Sequence, residues 1–161
     1  MSSIKVRHAD LSTQRDAAAL LEIMESYALG DTGTGLSQYT RNHLADRLHA
    51  IPHGFTLLAE LNQLPIGLAN CFMQFSTFQC RPLLNIHDLA VLPAWRGRGI
   101  GSTLLAAVAE EARKRDCCKI TLEVLSGNHG AQRLYQRHGF QAYRLNDTTG
   151  HAMFWECPLR Q

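Results

Sequence analysis

Three glycines within five residues, Gly97, Gly99 and Gly101, separate two apolar runs in the stretch LPAWRGRGIGSTLL, residues 92–105. The run before it, LLNIHDLAVL, reads as a strand. The run after it places Ile100, Leu104, Leu105, Val108 and Ala112 on one face at helical spacing, with Glu110, Arg113 and Lys114 outside. A further apolar strand, KITLEVL, follows that helix. Strand, loop, helix and strand over residues 86–124 form a parallel crossover unit, which commits the chain to a mixed α/β fold.

The loop narrows the chemistry. Backbone N–H groups at the start of a helix converge at the positive end of its dipole, and glycines let an anion approach them closely. Arg96 and Arg98 add forked, charged donors, and Ser102 and Thr103 add hydroxyls. A dinucleotide fingerprint fails because its third glycine position falls on Ser102. A nucleoside triphosphate loop fails because no Gly-Lys-Ser/Thr follows. What remains is Arg96-x-x-Gly99-x-Gly101, a nest that suits a pyrophosphate. The plainer alternative is a tight turn with solvent-facing arginines.

Around this unit, IKVRHA reads as a first strand. DLSTQRDAAALLEIMESYALG reads as a helix with Ala18, Leu21, Met24 and Ala28 in phase, stopped by Gly30. SQYTRNHLADRLHA is a second helix, ending before Pro52. GFTLLAEL and PIGLANCFMQF are strands joined by NQLP. NHGAQRLYQRHGF is a short helix capped by Asn128 and stopped by Gly139, with Phe140 folding back. FQAYRL and HAMFWECPL are expected to close the chain as a hairpin around NDTTG. No repeat or linker interrupts residues 1–161, so one domain is expected.

With 45% hydrophobic and 19% charged residues among 161, the chain can bury a proper core. A formal net charge of +2 is too weak and scattered to argue for nucleic acid. No run reaches signal-peptide or membrane-spanning length, which leads to the expectation of a cytoplasmic protein with no membrane partner. Five cysteines without a C-x-x-C spacing argue against a disulfide framework or a zinc knuckle. Cys71 and Cys157 lie in apolar segments and are expected to be buried. His49 and His53 stand four apart with Pro52 between them, so no metal site is expected.

The glycine loop resembles the acyl-CoA signature Arg/Gln-x-x-Gly-x-Gly/Ala of the GNAT superfamily of N-acetyltransferases. NHGAQRLYQRHGF resembles that family's second signature, Asn-x-x-Ala-x-x-Leu/Phe-Tyr-x-x-x-Gly-Phe. The two are separated by a helix and a strand, as in the family. The resemblance implies a mixed, largely antiparallel sheet of six to seven strands flanked by four helices. It also implies a central parallel pair, LLNIHDLAVL and KITLEVL, splayed to admit acetyl-CoA.

By the same resemblance, the backbone of Leu89 and Val91 pairs with the pantetheine arm, Ala90 between them belongs to the cofactor-binding set, and the Leu89 amide faces the thioester carbonyl. Such a preorganised donor contributes on the order of 3 kcal/mol. Arg96, Gly97, Arg98, Gly99, Ile100, Gly101 and Ser102 hold the pyrophosphate, and Asn128 steadies the donor. Tyr135 stands where the family's tyrosine protonates the departing thiolate; its plainer role is packing the short helix.

The attacking amine must lose a proton. His87 and Asp88 are the candidates. As neighbours on a strand they should face opposite sides of the sheet unless a bulge loosens the alternation. A histidine could take the proton, and an aspartate could hold the ammonium charge. Glu123 is a weaker candidate base. Residues 65–101 are also similar to diamine and polyamine acetyltransferases. Asp88 matches their aspartate, and His87 stands where they carry a glutamate.

Phe72, Phe75 and Phe78 are candidates to wall the acceptor site, although at such spacing Phe72 and Phe78 are more often core than pocket. The expected acceptor is the primary amine of a small molecule. A protein lysine or N-terminus is the alternative within the class, and a non-catalytic acyl-CoA sensor is the alternative outside it. The closing strand HAMFWECPL is a candidate homodimer edge.

Overall fold

The computed structural model describes residues 3–144 and 146–159. The chain falls into two compact units, Met1–Leu122 and Glu123–Gln161.

The first unit is a mixed sheet of five strands in sequence order: β1 (Ile4–His8), β2 (Gly54–Leu61), β3 (Leu64–Ser76), β4 (Arg81–Val91) and β5 (Ile120–Leu122). The first four pair antiparallel, and β5 lies parallel to β4. The β2–β3 connection is Asn62-Gln63, with φ of 50° and 68°. Two successive left-handed residues give the turn whose twist matches a two-residue hairpin.

Two helices, α1 (Gln14–Thr32) and α2 (Gln38–His49), start at caps whose side chains accept from backbone N–H groups, Thr13 from Asp16 and Ser37 from Thr40. Contrary to expectation, α1 runs through Gly30. A mid-helix glycine costs only about 1 kcal/mol relative to alanine. The stop falls at Gly33, which takes the left-handed conformation (φ 74°) and donates its N–H to Leu29 O.

The core lies on both faces of the sheet. Leu11, Ala19, Leu20 and Ile23 pack against Leu58, Leu68 and Ala90, with Met24, Leu44, Ala45 and Leu48 around them. On the opposite face lies α3 (Ile100–Lys114), whose five expected core positions are all buried. Gly67, adjacent to Leu68 and therefore facing the other way, permits this packing. A Cβ there would come within 2.9 Å of Ala90 O and 3.3 Å of side-chain atoms of Ile100 and Leu104. Gly67→Ala is expected to cost roughly 1–3 kcal/mol in chemical unfolding, because backbone must shift. Gly30→Ala, with nothing within 4 Å of the new methyl, should instead stabilise by about 0.5–1 kcal/mol.

Glu111 is the one acid on the inward face of α3, 9% exposed. Burial opposes its charge, but hydrogen bonds from Arg115 and Lys114 outweigh that and hold its pKa at about 2, with His8 Nε2 3.1 Å away. A carboxylate with a folded pKa below the ordinary 4.5 contributes stability that is complete above 4.5. That contribution is lost as the pH falls through the folded value. Glu111→Gln should therefore cost roughly 1–3 kcal/mol near neutrality. In urea unfolding across pH, the gap to wild type should close between about pH 4.5 and 2.

The second unit contains α4 (His129–Arg137). Both of its expected punctuation marks are present. Asn128 accepts from Ala131 N–H at 3.1 Å. Gly139 takes φ 84°, and Phe140 donates back to Tyr135 O at 3.0 Å.

The expected closing hairpin is not formed. Residues 141–144 and 146–159 contain no strand, and Leu145 lies outside the described residues. A bond from Ala152 N–H to Tyr143 O (3.0 Å) crosses between the two arms. A lone two-stranded hairpin is marginal, and here Met153, Phe154 and Trp155 run consecutively apolar while Pro158 lacks a donor. The sheet thus has five strands rather than six to seven, and its parallel pair stands at the end of the order rather than at the centre. The strand expected to offer a dimer edge is missing among the described residues.

Cys157 is exposed rather than buried for the same reason. Cys71 is buried as expected, and burial pushes its thiol up to about 12. Phe78, 93% exposed in the β3–β4 turn, is neither core nor wall.

Candidate active site

The pairing of β3 with β4 contains one irregularity. Cys71 stands opposite Ile86 and Asn70 opposite Asp88, so His87 is an extra residue bulged out of β4. Before the bulge, odd-numbered residues of β4 share the face of Phe72; after it, even-numbered ones share the face of Asn70. Phe72 and Asn70 are two apart on β3 and lie on one face.

The contacts agree with this register. The His87 ring meets Phe72 edge-on at 5.5 Å between centroids, and Asp88 Oδ2 accepts from Asn70 Nδ2 at 2.9 Å. His87 and Asp88, expected on opposite sides for a regular strand, therefore share the α1–α2 face. His87 is exposed there and Asp88 half-buried. Phe72 owes its position partly to Gly54, where a Cβ would lie 2.9 Å from its ring.

Beyond Ile86 the same strand has no paired strand on its β5 side among the described residues. β5 pairs only with Leu84, Asn85 and Ile86. It ends at Leu122, while β4 continues for five more residues to Val91. Leu92 donates its N–H to Ile66 O on β3. By antiparallel alternation the backbone groups of Ala90 and Asp88 also turn towards β3, and those of Leu89 and Val91 turn towards that unpaired side. Val91 O there accepts from Arg96 Nε at 3.0 Å.

The edge runs into the glycine loop. Gly97 (φ 74°) and Gly99 (φ 81°) are left-handed, with open space where a Cβ would stand. Conformation, more than room, requires glycine here. Gly99 caps α3 and offers no side chain to its first turn. The amides of Ile100, Gly101 and Ser102 precede the first helical bond, Thr103 N–H to Gly99 O. The Arg98 guanidinium lies 5.0 Å above the Trp95 ring. An uncapped helix start, two left-handed glycines and two arginines fit a pyrophosphate.

The second unit carries the remaining candidates. Asn128 holds the start of α4, so its side-chain oxygen is already engaged. Tyr135 packs its ring against Phe140 at 5.9 Å, and burial pushes its phenol above the ordinary value of 10. Glu123 is exposed. Among the described residues, no group of three His, Cys, Asp or Glu side chains gathers to hold a metal ion. No helix among them is long and apolar enough to cross a membrane.

Two buried polar residues that the sequence did not single out stand behind Asp88. Asn70 (2% exposed) and Thr56 (4%) are buried, and Thr56 Oγ1 donates to Asn70 Oδ1 at 2.6 Å. The available signal was a polar residue set among apolar neighbours in each strand, Thr56 between Phe55 and Leu57 and Asn70 between Ala69 and Cys71.

These features coincide with a known family. Residues 18–140 match the model described as the acetyltransferase (GNAT) family, and the chain belongs to that family. Thialysine N-epsilon-acetyltransferase of Bos taurus is 31% identical over 121 residues, covering 70% of this chain and 67% of its own. An uncharacterized N-acetyltransferase of Methanocaldococcus jannaschii is 36% identical over 85 residues, covering 52% of this chain. The chain spans 38% of that relative's length. Among solved structures, an aminoglycoside acetyltransferase from a soil metagenome, in complex with sisomicin, has a TM-score of 0.77 at 15% identity. That comparison covers 98% of this chain and 97% of the other, and it shows a shared fold.

Proposed function

We propose that residues 1–161 form one catalytic domain that transfers an acetyl group from acetyl-CoA to the primary amine of a small molecule by direct attack. Acetyltransferases of this family use acetyl-CoA, which supplies the acyl thioester. The observation that carries the reading is the edge of β4 left unpaired, among the described residues, beside Leu89 and Val91, leading straight to the glycine loop.

In this reading the α3 amides and Arg96 to Ser102 bind the pyrophosphate. The Val91 and Leu89 amides align the pantetheine arm, and the Leu89 N–H faces the thioester carbonyl. His87, exposed on the acceptor face, accepts the amine's proton. Asp88, held by an uncharged donor, anchors the ammonium before that proton leaves. Tyr135 protonates the thiolate, and Asn128 steadies the bound donor. Tyr135 and Asn128 take their roles from the motif they share with the family. The Bos taurus relative is named for acetylation of an N-epsilon amine, which supports a small molecule bearing a terminal amine as acceptor.

Thermal stabilisation by acetyl-CoA, followed by thiol release over a panel of diamines, amino acids, aminoalkyl acids and peptides, tests the reading. Stabilisation together with release for a small amine is expected. Release for peptides alone would move the acceptor to protein, and stabilisation without any release would leave a sensor.

A further inference from the structure

Asp88 sits at the end of a chain of hydrogen bonds that crosses three strands. Thr56 on β2 donates to Asn70 Oδ1, and Asn70 on β3 donates from Nδ2 to Asp88 Oδ2 on β4, at 2.6 and 2.9 Å. The direction of donation follows from chemistry. An ionised carboxylate only accepts, so the amide nitrogen must face Asp88, and the amide oxygen must then take the Thr56 hydroxyl proton. Asn70 Nδ2 also lies 3.6 Å from Met24 Sδ on α1. The amide is thus fixed from β2, β4 and α1, in a core where buried polar groups are costly unless satisfied.

A purely structural amide in this core has no need of a half-buried carboxylate at its open end. From this, and resting on the acetyltransferase reading above, we propose that Asn70 is a positioning residue for acceptor binding, with Thr56 behind it. It holds the Asp88 carboxylate on the α1–α2 face, where it meets the amine beside His87. The Thr56 hydroxyl fixes which way the Asn70 amide points. A small cationic amine is the ligand so oriented.

The test is steady-state kinetics of Asn70→Leu, Thr56→Val and Asp88→Asn, with Asn70→Leu and Thr56→Val also made in the Asp88→Asn background. Asn70→Leu is expected to lower kcat/KM for the amine about tenfold, mainly through KM, with the acetyl-CoA KM within about twofold of wild type. Thr56→Val is expected to cost about threefold. Neither should cost anything further once Asp88 is asparagine, because both act through that carboxylate. An undiminished loss in the Asp88→Asn background, or none in the wild type, overturns the proposal. If Asn70→Leu does not fold, Thr56→Val decides by the same two comparisons. A wild-type protein that releases no thiol with any amine overturns the acetyltransferase reading and this inference together. Active wild type with unaffected variants overturns this inference alone.

Discussion

Tyr135→Phe is expected to lower kcat for amine acetylation by about 10² or more, with the melting temperature and the acetyl-CoA KM close to wild type. Two observations separate the hydroxyl from the ring. The ring packs against Phe140 and the Tyr135 carbonyl closes the end of α4, and phenylalanine keeps both. Only the proton is removed, and a positioned acid contributes typically 10² to 10⁴. Burial raises the phenol above its ordinary value, so the group stays protonated at neutral pH and is competent as an acid. The wild-type decline of kcat at high pH should lie on the alkaline side of 10 and vanish in the variant. Unchanged kcat would reduce Tyr135 to a packing residue.

The second large effect separates the two residues at the bulge. His87→Gln is expected to lower kcat/KM for the amine by roughly 10²-fold, mainly through kcat, because the proton acceptor is removed. Asp88→Asn keeps the shape and the Asn70 contact but removes the charge. It should raise the amine KM by about tenfold or more with a smaller effect on kcat. Their placement on one face is what makes both effects fall on the acceptor and neither on acetyl-CoA. If Asp88→Asn lowered kcat and His87→Gln raised only the amine KM, the two roles would be exchanged.

Local physics made much of the molecule legible in advance. The inward face of α3, the Asn128 cap and the Gly139–Phe140 stop depend on residues within a turn or two of one another, and each stands where expected. The glycine loop was readable because left-handed residues at a helix start call for glycine.

The failures have equally definite causes. Gly30 has the look of a helix stop, yet the cost of one helical glycine is small and Gly33 lies three residues on. The closing segment has strand-like composition, but strands exist only with partners, and composition names none. The sequence allows for a bulge near His87 and Asp88, but local pattern cannot place it. The bulge is a matter of how β3 and β4 align across their hairpin, and it alone puts His87 and Asp88 on one face. Asn70 and Thr56 look like imperfections in apolar strands until that register places them beside Asp88.

The most direct single measurement is mass spectrometry of the reaction of wild-type protein with acetyl-CoA and the amine panel, with free thiol counted in parallel. An N-acetylated small amine should form in equal amount to the thiol released, and neither should form without both substrates. Thiol released with no acetylated amine, or acetyl-CoA bound with neither product formed, would contradict the assignment of this chain as a small-molecule amine acetyltransferase.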